Sequence, residues 1–276
     1  TSLFTNYMDH GPGTGTIERH FQRLEREHGD RWDEREGVIG ALETHRSLTD
    51  WIASTDAASA EMESASKIAA QTEASVHVRL LASDTIASRL AAELIRDHAD
   101  VSGVEFSFNP DLDVISDLQV FDAASFGNGV RHLVRRVRTL LKERGERMGK
   151  PGADTCAINI TGGYKATLPY LTVLGELYDV PLRYKFEDTD GMLSIPQVPI
   201  ALDEDLFRTH EAQFVALNEG VDDWAAFQNE HYAFADRAAD LIEVADNMAL
   251  LSPLGELFWG YYTDQHVTFY APDEVY

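Results

Sequence analysis

The segment from Asp154 to Asp179, DTCAINITGGYKATLPYLTVLGELYD, allows few folds. The apolar run Cys156-Ala157-Ile158-Asn159-Ile160 has the character of a buried strand, and a helical apolar pattern follows Lys165. Between them Thr161-Gly162-Gly163-Tyr164-Lys165 must turn the chain within a few residues. Two glycines let a ligand approach the backbone closely. The start of the helix offers N–H groups without intrahelical partners and the positive end of a dipole, which together suit an anion. Lys165 falls in the first turn, where the dipole favours acids. A bound anion explains a cation there; an ordinary strand-to-helix turn with a solvated lysine is the other reading. The spacing G-x-x-x-x-G-K-[ST] is absent, which argues against a P-loop NTPase.

Other strand signals lie at Val76–Leu81, Val101–Phe108, Val114–Val120, Leu182–Glu187 and Met192–Val198. The last two are joined by Asp188-Thr189-Asp190-Gly191, and the Asp-Gly pair marks a hairpin. Up to Val198, strands alternate with helices, so we expect an α/β protein with a mostly parallel sheet and a late hairpin edge. Ligands in such folds sit at the carboxyl ends of the strands. Ser2, Ser83, Asn128 and Lys165 fall at such ends and could line one crevice.

The first six residues, TSLFTN, read as the end of a strand whose body lies upstream, and residues 10–15 (HGPGTG) as a loop. A charged helix is expected over Thr16–His28, capped by Thr16 with Ile17, Phe21 and Leu24 on one face, then an exposed charged stretch over residues 29–37 and a short helix over Val38–His45. Leu48–Gln71 reads as helix with a break near Thr55, and Ala58-Ser59-Ala60-Glu61-Met62 within it is small and tight, suiting close packing. Ser83 or Asp84 can cap a helix over residues 85–99. Residues 121–129 read as a loop before a helix over residues 130–147, with Val130, Leu133, Val134, Val137, Leu140 and Leu141 inside. One face of that helix is basic: Arg131, Arg135, Arg136, Arg138, Lys142, Arg144 and Arg147. Those charges serve either as a face salt-bridged to acidic neighbours or as a patch for an anion or a partner.

Composition narrows the function. With 276 residues and 44% apolar content the chain can bury a large core. A net charge of −24 argues against general binding of DNA or RNA duplexes, though not against a small anion in a local basic pocket. No run of 18 apolar residues suggests a membrane span, no leader is visible, and the single cysteine, Cys156, lies where packing is its expected role. A reducing, cytoplasmic setting fits. After Pro199 the pattern changes to helices over residues 204–217, 221–245 and 252–262, then a short strand over Val267–Tyr270. This reads as a mainly helical, winged-helix-like domain cut off near its wing, too acidic for DNA and better suited to dimerisation or relay.

NITGGYKA at 159–166 resembles the N-[IL]-T-G-G-[FY]-K-A hallmark of CRISPR-associated Rossmann fold (CARF) proteins. TSLFTN at 1–6 is similar to the end of their first strand, written VGTSLLTN. ASAEMES at 58–64, LLASDT at 80–85 and LQVFDAASFGNGVRHL at 118–133 resemble the same subgroup, and LSPLGELFW at 251–259 its winged-helix extension. The resemblance implies a Rossmann-like CARF domain over residues 1–200 and the helical domain over 201–276. It implies a homodimer binding a cyclic oligoadenylate, usually the tetra-adenylate, of type III CRISPR defence. Ser2 and Lys165 fall on positions that ring nucleases of this subgroup use in catalysis. The remaining ligand contacts are expected at Thr1, Thr5, Asn6, Ser83, Asp84, Gln119, Asn128, Thr161, Gly162, Gly163 and Tyr164.

The chemistry needs neither cofactor nor metal: a ribose 2′-hydroxyl can attack its own phosphate in line, giving a 2′,3′-cyclic phosphate. Thr161, Gly162 and Gly163 would donate backbone N–H groups, Lys165 would stabilise the developing charge, and Ser2 would orient ribose or phosphate oxygens. No histidine is placed as a base, so turnover should be slow. Two readings stay open: a ring nuclease, or a non-cleaving sensor whose effector follows Tyr276. A transcription regulator is a third, opposed by the acidic C-terminal helices. Arg23 and His28 fit the loose R-x₄-H pattern of HEPN ribonucleases, which chance explains among 10 histidines. No C-x-x-C, H-E-x-x-H, G-x-S-x-G or G-x-G-x-x-G is present, against zinc, hydrolase and dinucleotide sites.

Overall fold

The computed structural model describes residues 2–11, 43–72, 75–118, 123–148, 155–186, 191–198 and 201–266. It is a mixed α/β structure in which helices predominate and the parallel sheets are small. Strand β1 (Val76–Arg79) pairs in parallel with β3 (Val104–Ser107), and β2 (Ala82–Ser83) with β4 (Val114–Ile115). A third sheet joins β5 (Ile158–Asn159) in parallel to β6 (Leu182–Lys185), which pairs antiparallel with β7 (Met192–Ile195). The expected late hairpin is therefore present, while its turn, residues 187–190, lies outside the described residues. The parallel pairing is as expected, but the ladders form separate two- and three-stranded sheets.

The first correction is at the amino end. Ser2–His10 is helix α1, not the end of a strand. Leu3, Phe4 and Tyr7 are buried, while Thr5 between them is exposed. That is the spacing of a helical face; an alternating strand would have put Leu3 and Thr5 on the same side. Tyr7 meets Trp51 edge to face, with ring centroids 5.9 Å apart. Trp51 belongs to α2 (Glu43–Ser54), and the expected break near Thr55 separates α2 from α3 (Ala60–Thr72). Of the stretch expected to pack closely, Ala58, Ser59 and Met62 are fully buried, while Ala60 and Glu61 are half-buried. Helix α3 packs against α1, β1, β3, β6 and β7, so it lies between the amino-terminal elements and the third sheet. The expected helix over residues 16–28 and the exposed stretch after it lie outside the described residues, as does all but the end of that over 38–45.

Helix α4 (Ile86–His98) is capped by Thr85, whose hydroxyl accepts from the Ser88 amide at 3.3 Å, rather than by Ser83 or Asp84. Ser83 instead shares a hydrogen bond with Thr85 Oγ1 (3.1 Å), and Asp84 accepts from the Asp117 amide (2.9 Å). Among the described residues the expected strand over 114–120 is only β4: the chain turns at Ser116-Asp117, and Asp117 adopts φ 61°. Residues 123–129, expected as loop, form the first two turns of α5 (Ala123–Met148). Gly129 serves proximity: a Cβ there would overlap the backbone of Asp117 and Leu118.

The carboxyl-terminal region has its own aromatic core of Phe207, Phe214, Phe234, Trp259 and Tyr262. Its order is α7 (Glu204–Thr209), α8 (Glu211–Glu219), α9 (Trp224–Glu230), α10 (Tyr232–Arg237), β8 (Ile242–Ala245), β9 (Met248–Leu251) and α11 (Pro253–His266). Val221, between α8 and α9, bridges to Ala249 of β9. The helix expected over 221–245 is thus overturned at its end, where an antiparallel hairpin stands. Asp246 and Asn247 adopt φ 50° and 63°, the left-handed pair of a two-residue hairpin turn that Asp and Asn tolerate. The expected strand over 267–270 lies outside the described residues.

Candidate functional site

The glycine turn stands at the carboxyl end of β5. Asn159 Oδ1 accepts from both the amide (3.1 Å) and the hydroxyl (2.7 Å) of Thr161, and Thr161 Oγ1 accepts from the Lys185 amide of β6 (3.0 Å). These bonds fix the turn to the sheet. They also correct the expected donor set, because the Thr161 amide is occupied. Gly162 and Gly163 keep backbone amides with no hydrogen-bond partner among the described residues. Gly163 has φ 95°, which carries the chain into a 3₁₀ turn at Lys165–Thr167 and on into α6 (Leu168–Leu177), with Pro169 in its first turn. Lys165 is exposed and makes no ion pair with a described residue. Tyr164 packs half-buried against the core cluster of Ile115, Val134 and Leu174.

Helix α3 brings Ser2 to this turn. Ser2 Oγ donates to Glu61 Oε2 at 2.5 Å and accepts from the Ala60 amide at 3.2 Å. The other oxygen of Glu61 lies against Gly162, where a Cβ would overlap it. Ser2, Glu61 and Gly162 therefore meet, with Lys165 three residues along the turn. One turn later on α3, Ser64 Oγ accepts from Asn159 Nδ2 (2.6 Å), and Glu63 pairs with the buried Lys185 Nζ (2.9 Å) and with Lys67 (3.4 Å).

Sequence reasoning missed Glu61, Glu63 and Lys185. Both acids stand within ASAEMES, whose small residues drew attention to packing. Lys185 alternates with the apolar positions of LRYKFE, so the pattern groups it with Arg183 and Glu187 on the polar face and gives no sign of its burial.

The other expected site residues are placed as follows. Asn6 Nδ2 reaches Ala57 O at 3.4 Å and Thr5 is exposed on α1. Asn128 Oδ1 accepts from Arg131 Nη1 (2.7 Å), at the edge of the contact between α5 and the carboxyl-terminal hairpin. Thr1 and Gln119 lie outside the described residues. Burial pushes the Cys156 thiol up, with Arg144 pulling the other way, as suits a packed rather than a reactive cysteine.

Five cations on the basic face of α5 are used for structure. Arg131 pairs with Glu243, Arg135 grips Glu256 with two bonds (2.8 and 2.7 Å), and Arg138 and Lys142 both hold Asp264 (3.0 and 2.9 Å). Arg136 turns the other way, to the fully buried Asp113 (2.7 Å), which Arg79 also holds (2.6 Å). A polar cleft of about 430 Å³ lies over this seam, lined by Arg135, Arg138, Thr139, Lys142, Asn218 and Glu256, its cations already paired.

Parallel strands, with a glycine turn at the carboxyl end of one of them and an exposed lysine that pairs with no described residue, define the α/β part of this protein. The model of the CRISPR-associated protein (Cas_APE2256) family matches residues 56–198, a little over half of the chain and the span from α3 to the hairpin. The chain belongs to that family of CARF-containing proteins, as the resemblance implied. No curated protein matches the chain.

Proposed function

We propose that this protein binds the cyclic tetra-adenylate of type III CRISPR defence as a homodimer and cleaves it without metal to linear products ending in a 2′,3′-cyclic phosphate. The observation that carries this reading is the meeting of Ser2 and Gly162 through Glu61, beside a lysine that pairs with no described residue, in a CRISPR-associated chain. The Gly162 and Gly163 amides would receive phosphate oxygens and Lys165 would neutralise the charge that grows on the phosphorane. A two-fold symmetric ring would present the same chemistry to two copies of the site.

We read residues 1–200 as the Rossmann-like CARF domain and 201–276 as a winged-helix-like domain. Helix α8, the Val221 bridge, α9, α10 and the β8–β9 hairpin follow one another in the order of that fold. The net charge of −24 disfavours long nucleic acid as its partner. A cytoplasmic location fits the ligand, and no described helix is long and apolar enough to cross a membrane.

Incubation of excess protein with labelled cyclic tetra-adenylate in EDTA tests the reading. Lys165→Ala should abolish cleavage and weaken binding, and Ser2→Ala should slow cleavage while sparing affinity. Unchanged cleavage by Lys165→Ala would sink the site.

A second reading, a sensor that binds the ring intact and passes the signal to an effector, also has an observation in its favour. Helix α6 starts at the Lys165 turn, and Tyr178 at its far end donates to Asp264 of α11 (2.5 Å). One short helix thus joins the turn to the carboxyl-terminal region. An intact ring bound to a dimer would select this reading.

A further inference from the structure

The cleavage proposed above lacks a group to take the proton of the attacking 2′-hydroxyl, and no histidine among the described residues is bonded to Ser2 or the glycine turn. The sequence suggested slow turnover for this reason. The structure supplies a carboxylate instead. Glu61 Oε2 accepts the Ser2 hydroxyl at 2.5 Å, at the short end for an O–H···O⁻ bond. Its other oxygen lies on Gly162, at the turn assigned to the phosphate. The Ala60 amide donates to the same Ser2 oxygen at 3.2 Å, which fixes that oxygen's position and leaves a lone pair for another donor.

Resting on the ring-nuclease reading, we propose that Glu61 is the proton acceptor of the cleavage and acts through Ser2. The ribose 2′-hydroxyl donates to Ser2 Oγ. As the 2′-oxygen attacks phosphorus, its proton passes to Ser2 Oγ and the Ser2 proton passes to Glu61. The new bond is 2′-O–P and the broken bond is P–O5′. The departing O5′ takes a proton from the Lys165 ammonium. Glu61 and Lys165 then return to their starting states by exchange with solvent. The net reaction opens the ring with no co-reactant and leaves a 2′,3′-cyclic phosphate and a 5′-hydroxyl. Glu61 is a positioning residue here, since it touches Ser2 and not the ribose. Its closeness to the phosphate also makes it a repulsive neighbour in the bound state, so removing its charge should not weaken binding.

The test is a double-mutant cycle of wild type, Ser2→Ala, Glu61→Gln and the double variant. Single-turnover cleavage of cyclic tetra-adenylate in EDTA and the Kd for the ring are measured on each. Glutamine keeps an acceptor for Ser2 and the shape of the side chain, so the fold is retained; equal Tm values check this. Glu61→Gln should slow cleavage about 100-fold, the lower range for loss of a general base. Its Kd should stay within about threefold of wild type or tighten. The double variant should be no slower than the slower single variant, because the two residues form one relay. Wild-type rates in Glu61→Gln, or effects that multiply in the double variant, overturn the relay while leaving the ring-nuclease reading standing. A wild type that binds the ring but leaves it intact overturns both the relay and the cleavage, and leaves the sensor. A wild type that neither binds nor cleaves overturns the functional reading itself.

Discussion

Gly162 and Gly163 are neighbours in the turn and are required for different reasons. Gly162 lies outside the left-handed region, and its constraint is space, since a Cβ would overlap the end of the Glu61 side chain. Gly163 meets nothing within 4 Å but has φ 95°, a conformation that a side chain opposes. The two alanine variants should therefore separate. Gly162→Ala moves a flexible carboxylate, so stability should change by less than about 1 kcal/mol while cleavage falls as it does in Glu61→Gln. Gly163→Ala should cost about 1–2 kcal/mol, the penalty of a left-handed residue with a Cβ. Thermal denaturation alongside single-turnover cleavage reads both effects. Wild-type cleavage by Gly162→Ala would show that the carboxylate need not lie where it does. The turn was legible in the sequence because glycines and a lysine after an apolar run carry their own chemistry. Glu61 was not, because its role comes from contacts 59 residues and 101 residues away along the chain, with Ser2 and Gly162.

At the scale of the element, helix α5 shows where local pattern gives out. Its apolar face, with Val130, Leu133, Val134, Val137 and Leu141 buried and Leu140 half-buried, follows the 3.6-residue period and was readable. Its first two turns were not, because Gly127 and Gly129 suggest a loop when only local propensity is weighed. The close approach of the Asp117–Leu118 backbone requires a glycine at 129 within the helix. The same difficulty hid the β8–β9 hairpin, whose Asp246-Asn247 turn is a weaker signal than the Asp-Gly pair at 190–191. The basic face left two readings open, and for Arg131, Arg135, Arg136, Arg138 and Lys142 the structure chooses the salt-bridged one. Asp113 is fully buried and is held by Arg79, by Arg136 and by the Asn109 amide (2.6 Å). Removing one cation leaves a buried carboxylate short of charge. Arg136→Ala should destabilise by about 3–5 kcal/mol in urea denaturation. A loss below about 1 kcal/mol would mean that Arg79 and the amide suffice alone.

For the whole molecule, the main question is what holds the carboxyl-terminal helices against the α/β part. Hydrophobic contact contributes through Leu257, which is buried in the cluster of Val134 and Leu174, but charge makes the join specific. Asp264, with its side chain 6% exposed, accepts from Tyr178 (2.5 Å), Lys142 (2.9 Å) and Arg138 (3.0 Å). Burial alone would raise its pKa; the bonds from Tyr178, Lys142 and Arg138 outweigh burial and hold it below the ordinary carboxylate value. The folded state therefore binds this proton less readily than the unfolded chain. The associated stability is fully present above the unfolded value of about 4 and is lost as pH falls through the lower, folded value. Asp264→Asn should cost about 3 kcal/mol at pH 7, the low end for a broken buried pair, since asparagine still accepts from Tyr178. Other carboxylates titrate in both proteins, so the informative quantity is the difference between them. That difference should shrink steadily from about pH 4 downward, because protonated Asp264 and asparagine are then alike in charge. Urea denaturation of the pair at pH 7, 4 and 2.5 measures it. A difference that stays constant over this range would show that the seam is held by shape and hydrogen bonding rather than by charge. In that case the path from the Lys165 turn through α6 to α11 could not be tuned by the cations of α5.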